Sequence, residues 1–210
     1  MDTDFSSDTP AIEDRADMNL ERGDVASASA DSYALIAGGF THDNNFCEPH
    51  VEAESYSFAD NVWTKIDDMT YGRGDKVLVA LGNEIYALGG ERQIEGKCEL
   101  EDLPEPGERT IVIDKVERYD VDVDEWFTLA DLPTGHLFRF AGVGYKDEIY
   151  TFGGQQRYDL DCNCFKTADE ITIYKEVQIS DPGHSGGAIH GIHSAGFAVT
   201  AVLMTWFMMA

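Results

Sequence analysis

Positively charged side chains are scarce in this sequence. Its 210 residues contain 15 lysines and arginines against 40 aspartates and glutamates, which gives a formal net charge of −25. Such a negative surface repels the phosphates of nucleic acids, so we expect no nucleic-acid partner. With 43% hydrophobic and 11% aromatic residues, the chain is nevertheless apolar enough to fold around a core.

Sequence motifs for metal binding and catalysis are also lacking. None of the four cysteines belongs to a C-x-x-C pair, and their spacing predicts no zinc site. Residues 120–124 (Asp-Val-Asp-Val-Asp) resemble the start of a calcium loop, but Glu125 stands where such a loop has glycine, so we interpret them as a turn. No pattern of nucleophile and base is found. The sequence therefore predicts no metal, no cofactor and no catalytic residue.

The two ends of the chain differ in character. Residues 1–23 are acidic and hold no apolar segment of the kind that a signal peptide needs, and the sequence has no Asn-x-Ser/Thr acceptor for glycans. Residues 195–210 form an almost unbroken apolar run, shorter than the ~20 residues that span a bilayer. With the Gly/His/Ser spacer at 178–194 and attachment at Ser185 or Gly186, this run fits a glycolipid-anchor signal.

These features predict a membrane-associated protein, tethered through residues 195–210. It would lie on the extracellular face if a longer precursor carries a signal peptide. The alternatives for the apolar run are a membrane helix and a buried C-terminal segment, and the alternative location is intracellular.

An internal repeat organises the middle of the chain. Shifts of 51 and then 64 residues superpose a Gly-Gly doublet on two later copies, and in two units a tyrosine precedes a tryptophan by seven residues. The repeated residues are Gly38, Gly39, Tyr56, Trp63, Gly89, Gly90, Tyr119, Trp126, Gly153, Gly154 and Tyr174. Around them each unit predicts two apolar strands, an alternating strand and a last strand. Four strands at a period of about 50 residues are typical of a β-propeller blade.

This pattern resembles the kelch repeat over roughly residues 24–177. The resemblance implies an all-β propeller fragment of about three four-stranded blades, each with its first strand innermost and its fourth outermost. It also implies that the loops between the second and third strands lie on the binding face. Residues 40–50, 91–110 and 155–168 are therefore the candidate binding loops. The glycine doublets would allow close backbone approach, and the aromatic residues would fill the wedge between blades.

The repeat places the three blades at 24–68, 69–131 and 132–177. The third unit has Tyr174 but no tryptophan after it, and we expect it to lack its fourth strand. Residues 11–18 take the position of a lone fourth strand ahead of the first blade. Three blades are fewer than the usual minimum of about four, so we interpret the chain as part of a larger propeller. A homodimer that completes the ring is the alternative.

The cysteines occupy related places in the repeat. Cys47, Cys98 and Cys162 lie in the second loop of successive units, and Cys164 follows two residues later. Equivalent loops of adjacent blades are neighbours, so both disulfides and free thiols are compatible with the spacing. Cys162 and Cys164 are too close in sequence to predict an ordinary pair. Disulfides would indicate an oxidising compartment.

The remaining candidate site residues bear on whether the protein is a binding scaffold or an enzyme. Two Arg-Gly-Asp triplets, at 22–24 and 73–75, share one repeat position, and we give them a structural role. The blades contain the histidines His42, His50 and His136, with no constellation of copper ligands around them. We predict a protein-binding scaffold that is not an enzyme. The alternatives are an enzyme of the oxidase, lyase or epimerase type on the same scaffold, and a fragment without function.

Overall fold

The computed structural model describes residues 12–44, 46–97, 106–132, 137–177 and 195–200, the last of these by its backbone. Fourteen strands are found in this part of the chain. They are β1 (Ala26–Ser29), β2 (Tyr33–Ala37), β3 (Ala53–Ser57), β4 (Val62–Ile66), β5 (Val77–Leu81), β6 (Glu84–Leu88), β7 (Glu91–Gln93), β8 (Thr110–Val112), β9 (Val116–Asp120), β10 (Glu125–Thr128), β11 (Ala141–Tyr145), β12 (Glu148–Asp159), β13 (Cys164–Val177) and β14 (Ala195–Thr200). A 3₁₀ turn (His42–Asn44) and a one-turn helix, α1 (Pro106–Arg109), complete the described elements.

Three antiparallel four-stranded sheets form the body of the fold. Blade 1 has the order β1-β2-β3-β4, blade 2 the order β5-β6-β9-β10, and blade 3 the order β11-β12-β13-β14. A two-stranded ribbon, β7-β8, is inserted between the second and third strands of blade 2. The first strands of the blades are neighbours, since β5 contacts both β1 and β11. This is the arrangement of successive blades around a propeller hub, as the repeat predicts.

The blades stack through two apolar cores. Successive side chains of a strand point to opposite faces of the sheet, so one strand of blade 2 contributes to both cores. Leu78 and Ile85 of blade 2 belong to the core that also contains Leu35 of blade 1. Val79 lies on the opposite face of the same strand and packs into the core shared with Ile149 of blade 3. Both faces of blade 2 are covered by neighbouring blades, and for this reason the sequence of β5 is a continuous apolar run.

The glycine doublets are required where the chain passes from one blade to the next. Gly38 and Gly89 both have positive φ, 64° and 61°. A Cβ at Gly38 would lie 2.4 Å from the carbonyl oxygen of Arg73, and one at Gly89 would lie 2.3 Å from that of Leu137. Each doublet therefore serves both backbone conformation and the close approach of the following blade.

The prediction that the third blade lacks its fourth strand is wrong. Strand β14 pairs with β13 in antiparallel register, with Val177 opposite Ala195 and Thr172 opposite Thr200. A bare β13 edge would expose a row of unpaired backbone groups, and the apolar run after the spacer covers it. The run was predicted to be a tail because 17 residues of spacer and the missing tryptophan conceal its place in the repeat.

The lone strand predicted at 11–18 is not formed over residues 12–18. These residues have no strand beside them in the chain, so their backbone makes no ladder. Ala16 is nonetheless held at two points. Its carbonyl oxygen accepts a hydrogen bond from the Trp63 indole N–H (2.9 Å), and its N–H donates to Asn61 Oδ1 (2.9 Å). No described helix is long and apolar enough to cross a membrane.

Candidate functional site

The loops between second and third strands gather on one face of the described structure. The first, 40–50, contains the 3₁₀ turn, and the second, 91–110, contains the β7-β8 ribbon and α1. The third differs from the prediction, because β12 continues to Asp159 and β13 begins at Cys164. Most of residues 155–168 is therefore a long β-hairpin. Its cross-strand aromatic pair, Tyr158 and Phe165, has ring centroids 5.0 Å apart.

A row of backbone hydrogen bonds crosses the blades where each first strand is entered. Asp24, Asp75 and Arg139 share one repeat position and have φ values of 50°, 50° and 51°. The N–H of Asp75 donates to the carbonyl of Asp24 (3.0 Å), and the N–H of Arg139 donates to that of Asp75 (2.8 Å). Arg139 also donates from Nε to Asp75 Oδ2 (2.6 Å). This row of hydrogen bonds joins the three blades near the hub. Asp24 and Asp75 place carboxylates along it, and Arg139 places a guanidinium group at its end.

Glu91 lies beside this row as a buried carboxyl group. Its backbone pairs with Gly74, and its Oε1 lies 3.8 Å from Arg139 Nη2. Burial raises the pKa of Glu91 to about 7, and the nearby charge of Asp75 acts in the same direction. The side chain therefore exchanges its proton near neutral pH, where it changes between hydrogen-bond donor and charged acceptor.

A polar cavity of about 410 Å³ opens between blades 2 and 3 on the loop face. Three of its lining side chains have buried polar atoms without a hydrogen-bond partner: Gln93 Oε1, Arg109 Nε and Gln155 Oε1. Glu91 and Tyr158 also line it. Buried groups of this kind normally find partners. The three atoms have almost no exposed surface as they stand, so a ligand in the cavity would reach them only when their side chains turn toward it.

A second cavity of about 490 Å³ lies between blades 1 and 2 on the same face. Its lining includes Cys47 and Val51 from blade 1 and Arg92 and Ile94 from the β7-β8 loop. Both gaps between blades are thus open at the candidate binding loops.

Tyr119 and Trp126 pack in the core between blades 1 and 2, and Tyr174 packs in the core between blades 2 and 3, whereas Tyr56 and Trp63 lie on the free side of blade 1. Tyr56 stands opposite Trp63 and Tyr119 opposite Trp126, with ring centroids 5.0 and 5.3 Å apart. Their hydroxyls donate to Asn61 and Asp124, respectively. The hydroxyl of Tyr174 in blade 3 is buried, and no hydrogen-bond partner for it is found among the described residues.

The arginines of both Arg-Gly-Asp triplets are buried. Arg22 pairs with Glu54 (2.6 Å), and Arg73 pairs with Glu117, with no side-chain exposure of either arginine. Each glutamate also accepts the N–H of a residue three positions before its arginine, Asn19 or Thr70. The triplets therefore fix the entry into the first strand, and their guanidinium groups are not accessible to an adhesion partner.

The structure corrects the prediction for two of the cysteines. Cys162 and Cys164 form a disulfide that closes the β12-β13 turn, so the argument that they lie too close in sequence was wrong: a turn folds the chain back within two residues. Cys47 is also disulfide-bonded. Cys98 and the two predicted anchor residues, Ser185 and Gly186, lie outside the described residues.

The aspartate run at 120–124 forms a turn. The N–H of Asp122 donates to Asp120 Oδ1 (3.0 Å), and Asp124 accepts from Tyr119. In the part of the chain that the structure describes, no three histidine, cysteine or acidic side chains are grouped as a metal site. Of the histidines in the blades, His50 contacts Glu52 (3.2 Å), and His136 is outside the described residues.

Sequence reasoning missed Arg139 as a site residue. It lies before the third candidate loop, where the repeat replaces the aspartate of the Arg-Gly-Asp triplets by arginine. This change of charge at one repeat position was a detectable signal. Gln93, Arg109 and Gln155 fall within the candidate loops, but their convergence on one cavity depends on the packing of blade 2 against blade 3.

Comparisons with known proteins agree with the repeat. The chain is 28% identical to human Kelch-like protein 23 over 107 residues, which cover 51% of this chain and 17% of that protein. The mouse Kelch-like protein 23 gives the same values, and human Kelch-like protein 25 is 23% identical over 140 residues, 67% of this chain and 22% of the relative. The chain thus spans about a fifth of the length of the curated relatives it matches.

A solved structure, that of YjhT, superposes with a TM-score of 0.58 at 14% identity and covers 73% of this chain and 49% of that one. No protein-family model matches the sequence. The repeated glycine doublets and aromatic pairs, the four-stranded blades and the similarity to Kelch-like proteins together show that the chain has the kelch-type β-propeller fold.

Proposed function

We propose that the protein is a kelch-repeat scaffold that binds a protein partner on its loop face, at the gap between blades 2 and 3. The observation that carries the proposal is the cavity there with three unsatisfied buried polar atoms. Recognition sites are commonly built from loops on a rigid scaffold, and here both blades bring loops to one opening.

The chemistry of the cavity fits a polypeptide segment. Turned toward the cavity, Gln93 and Gln155 would supply acceptors for backbone N–H groups, and Arg109 would supply a donor for a carbonyl. The net charge of −25 favours a partner whose surrounding surface is basic, since such a surface is attracted over distances of about a Debye length. Glu91, with a pKa of about 7, makes affinity depend on pH near neutrality.

A charge reversal tests this function. Arg109→Glu removes the donor and places an acid beside Glu91, whereas Lys65→Glu makes the same reversal on the fourth strand of blade 1, where Lys65 is exposed. Tagged full-length chains are used to capture and cross-link partners, which are identified by mass spectrometry. We expect at least one protein to be retained by the wild type and by Lys65→Glu and lost from Arg109→Glu. Identical sets of proteins for all three chains would refute the site.

The enzyme alternative is tested on the purified protein by metal analysis. A scaffold should contain no stoichiometric copper or iron, and the presence of either at one equivalent would replace the scaffold proposal by an oxidase. The third alternative, a fragment without function, predicts a chain that shows no cooperative unfolding transition.

The membrane tether through residues 195–210 stays a prediction, and β14 gives it a structural consequence. Cleavage at Ser185 or Gly186 would remove β14 from the edge of β13. A chain that keeps residues 195–200 keeps blade 3 complete, and for this reason we favour retention of the segment. The C-terminal peptide of the mature protein, identified by mass spectrometry, distinguishes the two forms.

We also propose that the three blades are completed to a closed ring, by a second copy of the chain or by further blades of a longer protein. An open stack leaves one face of its first and last blade without a neighbour, and repeat proteins bury such faces by adding units.

A further inference from the structure

Blade 3 exposes an apolar face that its counterpart in blade 2 buries. Val143, Phe152 and Ile171 are 49%, 40% and 45% exposed. The residues at the same positions of blade 2 are Val79, Leu88 and Val116, which are 3%, 0% and 0% exposed because blade 3 covers them. The exposed set is therefore a blade-stacking surface by position as well as by composition.

The opposite end of the stack carries the matching half of a junction. Between blades 1 and 2, the Trp126 indole donates to the carbonyl of Asp67 (2.9 Å), and the N–H of Asp67 donates to Asp124 Oδ1 (2.9 Å). On the free side of blade 1, Trp63 and Asn61 make the same two bonds to Ala16. Ala16 thus occupies the place of the residue that follows the fourth strand of a preceding blade.

Residues 12–15 correspondingly occupy the place of that fourth strand, but without a third strand beside them. Ile12 is 92% exposed and shares the repeat position of Trp63 and Trp126. Those tryptophans stand opposite Tyr56 and Tyr119. The equivalent tyrosine that could stand opposite Ile12 is Tyr174 on β13, at the far end of the stack.

We propose that two copies of this chain associate head to tail into a six-bladed ring, in which residues 12–15 of one copy pair with β13 of the other, with Ile12 opposite Tyr174. This inference rests on the proposed ring completion and specifies its partner and register. Two copies related by a twofold axis make two identical junctions and leave no blade face open. Six blades lie within the range of four to eight found in propellers.

The charges at the hub fit this junction. In the existing row, Arg139 follows Asp75 and forms an ion pair with it (2.6 Å). Head-to-tail association brings Asp24 of the second copy next to Arg139, so that the backbone row continues and a cation meets a carboxylate. The overall charge of −25 per copy opposes association, and salt screens that repulsion.

The edge of β13 is already occupied by β14, which places Ala198 opposite Tyr174. Residues 12–15 of a second copy and β14 therefore compete for one edge. In this arrangement β14 protects the edge of the single chain, and the ring forms by exchange of one strand for another.

Solution mass by analytical ultracentrifugation of the full chain tests the proposal. We expect a single chain of 23.2 kDa at low concentration and twice that mass at high concentration, with tighter association in 0.5 M than in 0.05 M salt. Ile12→Pro/Glu13→Pro removes whichever amide faces β13 and should abolish the dimer, while Ile12→Ala/Glu13→Ala keeps it. Phe152→Glu should abolish it as well, with Val62→Glu as the control on an exposed strand outside the junction.

Cross-linking checks the register. Ile173→Cys with Glu13→Cys should give a covalent dimer, whereas Ile173→Cys with Val199→Cys should give a cross-link within one chain, as β14 places Val199 opposite Ile173. A single-chain mass at every concentration, or a dimer that survives Ile12→Pro/Glu13→Pro, would overturn the proposal. If the wild-type chain forms no dimer but its partner capture still depends on Arg109, this inference is rejected and the scaffold function is retained.

Discussion

The buried pair Arg73–Glu117 provides a sharp test of how the repeat stabilises each blade. Both side chains have no exposure, and burial lowers the pKa of Arg73 while Glu117 opposes that shift. Arg73→Leu leaves the Glu117 carboxylate buried with its bond from Thr70 but without its cation. Removing one partner of a buried ion pair costs about 3–5 kcal/mol, which we expect as the loss in the free energy of unfolding.

Blade 3 supplies the compensating change. At the two equivalent positions it has Leu137 and Thr172, both buried, so the repeat folds there without an ion pair. The double variant Arg73→Leu/Glu117→Thr reproduces this combination and should recover most of the loss, to within about 1–2 kcal/mol of the wild type, because neither charge of the pair is left without its partner.

Urea denaturation followed by tryptophan fluorescence measures these differences on the full chain. Lys65→Leu serves as the control, since its exposed pair with Asp68 (3.3 Å) should contribute less than about 1 kcal/mol. A loss below about 1 kcal/mol for Arg73→Leu would refute the reasoning. So would a double variant that is no more stable than the single one.

Three further predictions use the same measurement. Because the pKa of Glu91 is about 7 in the folded chain and 4.5 when free, the folded state binds its proton more tightly, so stability should fall by at most about 3 kcal/mol as pH rises from 4.5 through 7. Glu91→Gln should abolish this loss, while Glu125→Gln, an exposed control, should retain it. Trp126→Phe should cost about 1 kcal/mol or more, since the carbonyl of Asp67 loses its donor. Gly89→Ala should cost more than about 2 kcal/mol, because its φ is 61° and its Cβ would clash with backbone.

The blade architecture could be predicted because its signals are local and repeated. Each blade is built from strands joined by short turns, so apolar alternation, the glycine doublets and the Tyr–Trp spacing lie within one unit of sequence. Repetition at nearly constant offsets then separated these signals from chance. The structural role given to the two Arg-Gly-Asp triplets rested on the same regularity, since both stand at one position of the repeat, and the structure adds that Arg22 and Arg73 are buried in ion pairs.

The candidate site was only partly predictable. The loops at 40–50 and 91–110 lie on one face as expected, but the cavity depends on Arg109 of one blade meeting Gln155 of the next. Sequence patterns specify which residues face away from a strand, not the distance between loops of different blades. The third loop became a hairpin because β12 and β13 continue their pairing beyond the blade.

The sequence by itself determined the class of the fold, the number of repeats and the residues at each junction, since periodicity and glycine conformation are properties of short segments. Only the tertiary structure decided that residues 195–200 are the fourth strand of blade 3, while residues 12–18 form no strand. In the sequence, the repeat assigned a fourth strand to residues 11–18 and none to residues 195–200. Which one pairs depends on the neighbour that the folded chain brings beside it, and strand pairing is an interaction between distant residues.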